Sequence, residues 1–130
     1  MDTTVKDTLE RGGVVDITTT GRKSGKDRRI EIVFHHFDGK FYITGKPGFK
    51  RDWLANLTAK PGFILHLRDT AAADLPVVAR PITDEDERAD VLYRILTESW
   101  GNEKSKADHI LPRWVDSAPL VEFTVDEQPG

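Results

Sequence analysis

Between residues 14 and 44 the chain places three short β-forming runs with only tight turns between them. The run V-V-D-I-T-T-T at 14–20 is β-branched and stops at Gly21, after which R-K-S-G-K-D carries the turn chemistry of a hairpin. From 28 to 37 the even positions Ile30, Ile32 and Phe34 are apolar and alternate with Glu31, Val33 and His35, a period of two with one face toward a core. Asp38-Gly39 is a tight-turn dipeptide, and F-Y-I-T at 41–44 returns as a third strand. Connections this short force antiparallel neighbours, because a parallel pair needs a crossover of about a dozen residues or more. The chain is thereby committed to a meander.

Beyond Gly45-Lys46-Pro47-Gly48 the period changes. Phe49, Trp53, Leu54 and Leu57 fall at helical spacing until Pro61-Gly62, which predicts a helix of about three turns. Strands are expected at 63–67 and 77–82, separated by the connection D-T-A-A-A-D-L-P. Thr83 as N-cap, Asp84, Glu85, Asp86 and Glu87 in the first turn, and a stripe of Val91, Leu92, Ile95 and Leu96 predict a helix ending at Trp100-Gly101. Residues 102–106 read as a polar loop, Ile110, Leu111, Trp114 and Val115 as a short helix interrupted by Pro112, and L-V-E-F-T-V at 120–125 as a last strand. The sum is a mainly β (α+β) chain of six short, mostly antiparallel strands with two or three helices. Closing such a sheet into a barrel removes its exposed edges. Residues 1–13 are expected to be a tail or short helix, and 14–126 one domain.

Composition narrows the function classes. With 130 residues and no cysteine, thiolate catalysis, disulfides and Cys-ligated metal centres are excluded. No run approaches the roughly 20 apolar residues of a membrane span, and the first 13 residues lack a signal-peptide core, so a soluble cytoplasmic protein is expected. The net charge of −3 hides an asymmetry: residues 22–51 carry nine cations against three anions, a balance of +6, and the rest carries −9. A basic island in an acidic protein attracts a small anion while its remaining surface repels long polyanions, which argues against nucleic acid as the partner.

The island resolves into two clusters. Arg22, Lys23 and Lys26, with Arg28 and Arg29, occupy the first hairpin and the strand after it, without the spacing or the strand–turn–helix context of a Walker loop. Lys46, Lys50 and Arg51 gather where the first predicted helix begins. Cations in a first helical turn oppose the helix dipole by a few tenths to about one kcal/mol each, so their presence makes sense if an anion sits there on the backbone N–H groups. Either cluster alone reads equally as a solvated turn; two clusters flanking one meander point to an anion site. His35 and His36 are strand neighbours on opposite faces and cannot form a two-ligand metal pair, and no H-E-x-x-H is present, so no metal is expected. The serines lie in no nucleophile-elbow context, and no catalytic side chain is assigned. Trp53 and Asn56 lie three apart on neighbouring helix positions.

T-T-T-G-R-K-S-G at 18–25, G-K-P-G at 45–48 and W-L-A-N-L-T-A-K-P at 53–61, in this order and spacing, resemble the deazaflavin-dependent nitroreductase family. The resemblance implies an FMN-binding-like split β-barrel that holds coenzyme F420, a deazaflavin with an anionic phospholactyl-polyglutamate tail. It further implies hydride transfer to a small electron-poor organic substrate such as a quinone, an enone or a nitro compound. Chemistry of that kind belongs to the cofactor, with the protein supplying binding and orientation. By motif match the tail falls to Arg22, Lys23, Ser24, Arg28, Lys46, Gly48 and Lys50. Adding their neighbours Pro47, Arg51, Trp53 and Asn56 completes the candidate cofactor-binding set. Pro47 stands where the family commonly has a second glycine, Ile30 and Glu31 stand where a proline is common, and Val33 replaces a tyrosine of the substrate pocket. Related barrels bind FMN, haem or fatty acid, and such a protein without F420-dependent catalysis is the alternative. Split barrels of this size often pair through one face, which makes a homodimer an expectation of the same kind.

Overall fold

The computed structural model describes residues 3–48, 51–68 and 73–125. Six strands form a closed antiparallel barrel: β1 (Gly13–Thr20), β2 (Asp27–Phe37), β3 (Lys40–Thr44), β4 (Gly62–Leu67), β5 (Ala73–Pro81) and β6 (Leu120–Val125), in the spatial order β1-β2-β3-β6-β5-β4. The first three form the expected meander. Val15 lies opposite Ile32 and Ile17 opposite Ile30, and the β2–β3 connection is the Asp38-Gly39 turn, with both residues at positive φ (52° and 80°). The ring closes where Asp16, Ile17 and Thr18 on the other edge of β1 pair with His66, Leu65 and Ile64 of β4.

Strand alternation divides the apolar residues between two cores. Val15, Ile17, Phe34, Ile43, Leu65, Val77, Val121 and Phe123 fill the barrel, where Phe34 and Phe63 pack on Phe123 with ring centroids 5.9 Å apart in both pairs. Helix α1 (Thr3–Arg11) adds Leu9 at the Gly13 end, and α2 (Asp52–Ala59) adds Leu57 at the Thr19 end. The opposite face of β3 and β6, through Tyr42 and Leu120, packs under α3 (Glu85–Arg94) and α4 (Lys104–Ser117) with Leu92, Ile95 and Trp114. Arg88 locks this layer. Its guanidinium donates to the carbonyls of Ile82, Trp114, Val115 and Ala118, three of which belong to the C-terminal end of α4.

Several expectations need correction. The described residues contain four α-helices: the short helix at 3–11 is one of the two forms expected for the first residues, whereas 104–117 is one continuous helix in place of a loop and a short piece. Fully buried Ala107 and the packing of Leu111, Trp114 and Val115 outweigh the cost of Pro112, which stands on the exposed side. The cap of α3 is Asp84, not Thr83; its carboxylate accepts from the Glu87 N–H at 2.9 Å. That helix widens into a π turn at Ile95–Ser99 before Trp100 and Gly101 end it. Strand β5 starts at Ala73, ahead of the expected 77, and carries Pro76 opposite Ile64; among the described residues its pairing with β6 begins at Val77. Phe49, expected to begin the first helix, lies outside the described residues.

His35 sits in the seam between barrel and helices. It is 5% exposed, its Nδ1 is 3.1 Å from the Ser99 hydroxyl, and Trp100 stands edge-on at 5.5 Å. Its Nε2 is the one buried side-chain polar atom without a hydrogen-bond partner among the described residues. Burial pushes this imidazole down from 6.5 to about 4. Above pH 6.5 both folded and unfolded chains hold it neutral. As pH falls toward 4 the unfolded chain takes up a proton that the folded one refuses, and stability drops by up to roughly 1.4 kcal/mol per unit. Urea denaturation of the wild type should therefore show stability declining between about pH 6.5 and 4, and the His35→Phe variant should show a shallower decline over the same window.

Candidate functional site

The site begins at the open end of the β1–β2 hairpin. The Gly21 N–H donates to the Lys26 carbonyl at 2.8 Å, and the Ser24 hydroxyl accepts from the Lys26 N–H at 3.2 Å. A Cβ on Gly21 would stand 2.7 Å from Ser24 Oγ and 3.1 Å from the Lys26 carbonyl oxygen, so the turn closes this tightly only around glycine. The cations of the turn project outward from it.

One side chain from α2 fixes this hairpin to the barrel. Asn56, 3% exposed, accepts at Oδ1 from the Arg22 N–H (3.1 Å) and from Arg22 Nη1 (3.2 Å), and its Nδ2 donates to the buried Thr19 hydroxyl at 3.4 Å. Arg22 Nη1 also lies 3.8 Å from the Asp52 carboxylate. Between hairpin and helix is a cavity of about 180 Å³, lined by Gly21, Arg22, Lys23, Ser24, Arg28, Asp52 and Asn56. Three cations converge there against a single carboxylate, and that carboxylate is 93% exposed. Guanidinium and ammonium donors around one small space, with a serine hydroxyl beside them, suit a phosphate or carboxylate group.

Of the predicted binding residues, Arg22, Lys23, Ser24, Arg28 and Asn56 meet at this cavity; the other described ones do not. Lys46, Pro47 and Gly48 lie in the turn between β3 and α2, with Lys46 and Gly48 exposed and Pro47 buried. Arg51 folds back over that turn, so closely that a Cβ on Gly45 would be 2.8 Å from its Nη2. Trp53 packs against the barrel core, where it supports α2. Lys50 lies outside the described residues. The expectation of cations inside the first helical turn is corrected: α2 starts at Asp52 with Arg51 as its N-cap, so the first turn holds an acid that suits the dipole. Sequence reasoning missed Asp52, Gly21 and Thr19; the R-D pair at 51–52 was the signal for the first, one residue beyond the basic island.

A second, wider cleft of about 860 Å³ opens on the other side of α2, with Leu54, Ile82, Leu111 and Val115 among its apolar lining and Glu85, Asp86 and Asp116 among its polar lining. Those carboxylates disfavour an anion in the wide cleft, whereas the cations of the smaller cavity favour one. On the outer face of the barrel, Thr18 Oγ1, His66 and Asp74 form a chain with two contacts of 2.7 Å. Thr18 is a mid-strand residue whose backbone belongs to the sheet ladder, without the paired free N–H groups that acyl transfer requires.

Fold and cavity together define a split β-barrel with a basic pocket between the hairpin and α2. The chain belongs to the F420H(2)-dependent quinone reductase family, whose model matches residues 1–117. It is accordingly an oxidoreductase, and its cofactor is coenzyme F420. FMN, haem and lipid, the other ligands considered from the sequence, give way on that membership. No curated protein matches the chain by sequence. Among solved structures it is similar to the conserved hypothetical protein Rv2991 of Mycobacterium tuberculosis (TM-score 0.70, 16% identity, covering 98% of this chain and 82% of that one). It is also similar to the F420-H2 dependent reductase FDR-A (0.58, 23%, 88% and 94%) and to the haem storage protein HutZ of Vibrio cholerae (0.62, 14%, 98% and 89%). At these identities the likeness is one of fold. No helix among the described residues is long and apolar enough to cross a membrane.

Removing the Asn56 side chain leaves the Arg22 N–H and the Thr19 hydroxyl without their partner. Asn56→Ala should lower stability by about 1–3 kcal/mol in chemical denaturation, whereas Asn56→Asp, which still accepts from Arg22, should lose less.

Proposed function

We propose that this chain transfers a hydride between F420 and a small electron-poor organic substrate, a quinone above all, with an enone or a nitro compound as further members of the class. The observation that carries the reading is the convergence of Arg22, Lys23 and Arg28 on one cavity held open by Asn56. Its donor set fits the cofactor: cationic and hydroxyl donors for phosphate and carboxylate oxygens, in a volume of about 180 Å³ that suits one anionic group of the tail. When bound, the deazaflavin supplies the hydride. The protein's own share is binding and orientation: Arg22, Lys23, Ser24 and Arg28 hold the tail, Asn56 keeps the hairpin in place, and Lys46, Gly48 and Lys50, assigned by the motif match, add to the hold on the tail together with Pro47 and Arg51. Trp53 supports α2 from the barrel side. The apolar floor of the wide cleft suits a flat hydrophobic substrate, and its acidic residues select against anionic ones.

Fluorescence titration with F420 tests the binding step. The wild type should bind at micromolar concentration or better, with affinity that weakens as salt rises. Arg28→Gln should bind about tenfold more weakly, the scale of one charge-assisted contact, with an unchanged melting temperature because Arg28 is exposed and has no partner among the described residues. Absence of binding by the wild type at micromolar F420 would sink the proposal.

A homodimer is part of the same reading. Val14 and Val33, 53% and 41% exposed, pair across the outer face of β1 and β2 beside the ion-paired Asp16, Arg29, Glu31 and Arg68, a mixed patch able to complement its own copy. Sedimentation equilibrium should give twice the chain mass, and Val14→Glu with Val33→Glu should reduce it to one.

A further inference from the structure

Nearly every arginine of this protein is engaged: Arg29 and Arg68 on Asp16, Arg80 on Glu87 and Glu122, Arg94 on Asp38. The guanidinium groups of Arg28 and Arg113 alone have no hydrogen-bond or ion-pair partner among the described residues. Arg28 lines the basic cavity. Arg113 comes from α4, far along the chain, yet its Nη2 lies 3.5 Å from where a Cβ on Gly48 would stand, and so hangs over the turn that leads from β3 into α2.

Its base is rigid. Trp114 and Val115 are packed in the helical core, and Arg88 clamps the carbonyls of both and of Ala118. The helix backbone is held, and the planar guanidinium faces a glycine with φ +90° that offers backbone and no side chain, so only the Arg113 side chain itself is ordered on meeting a planar anion. No carboxylate among the described residues pairs with it.

We propose that Arg113 is a second oxyanion anchor for the cofactor, holding a carboxylate or phosphate oxygen of the bound ligand over Gly48, apart from the group held at Arg28 in the basic cavity. The inference rests on the reading of that cavity as part of the F420 site. Helix α4 thereby contributes a charge to a site otherwise built by the hairpin and α2, and the ligand is gripped between two layers of the fold.

F420 fluorescence titration and inorganic pyrophosphate thermal shifts, run on wild type, Arg113→Gln, Arg113→Lys and Arg28→Gln, test it. Arg113 is exposed, so the ligand-free variants should melt within about 2 °C of the wild type. Arg113→Gln should weaken F420 about tenfold, Arg113→Lys should recover part of that loss, and pyrophosphate should stabilise Arg113→Gln less than the wild type. Unchanged F420 affinity in Arg113→Gln, while Arg28→Gln is weakened, overturns the inference and leaves the proposed function standing. A change confined to the KM of a quinone substrate also overturns it. If the wild type fails to bind F420, the proposed function falls, and the pyrophosphate shifts decide Arg113 by themselves: equal stabilisation of wild type and Arg113→Gln removes the anchor, and a reduced shift retains it.

Discussion

Everything in this fold hangs on β1 being paired along both edges. Its eight residues hydrogen-bond to β2 over their full length and to β4 through Asp16, Ile17 and Thr18. Without the second pairing the sheet would have two free edges and no enclosed core, a state that small sheets do not sustain. Closure explains why Val15 and Ile17 are fully inside, and why the outward charges on β1 and β2 meet Arg68 at the end of β4. It also fixes where β1 stops: Thr19 and Thr20 end at the rim, and the hairpin that follows is delivered to the N-terminal part of α2.

From that rim the binding chemistry is assembled by a single neutral side chain. Asn56 satisfies an acceptor and a donor requirement at once, joining strand, hairpin and helix, and because it carries no charge it leaves the Arg22 and Arg28 guanidinium groups free to face an anion. A carboxylate in its place would have neutralised part of the site. Asp52 stands close by, but it is almost wholly exposed, where solvent screens its pull on Arg22.

Charge then sorts the cavities. The basic pocket and the acid-bearing cleft lie on two sides of the same short helix, so their fields favour ligands of opposite character. The chain belongs to the F420H(2)-dependent quinone reductase family, and the proposed reading puts the anionic tail of its cofactor at the basic pocket.

Local chemistry in the sequence determined the meander, the Asp38-Gly39 turn, the six strands and the basic hairpin, because period-two alternation and turn residues act over a few neighbours and need no distant partner. The Lys46 to Arg51 cluster was legible as charge, but its place was not: one residue of helix phase put Arg51 at the cap and Asp52 in the first turn. Continuity of α4 through Pro112 was also hidden, since the gain from burying Ala107, Leu111 and Trp114 comes from residues of β3, β6 and α3 that no local pattern reveals. The burial that keeps His35 neutral, the bond from Asn56 to a threonine 37 residues earlier, and the approach of Arg113 to Gly48 were decided only when the barrel closed and the helices docked, because each depends on distances between segments remote in the chain.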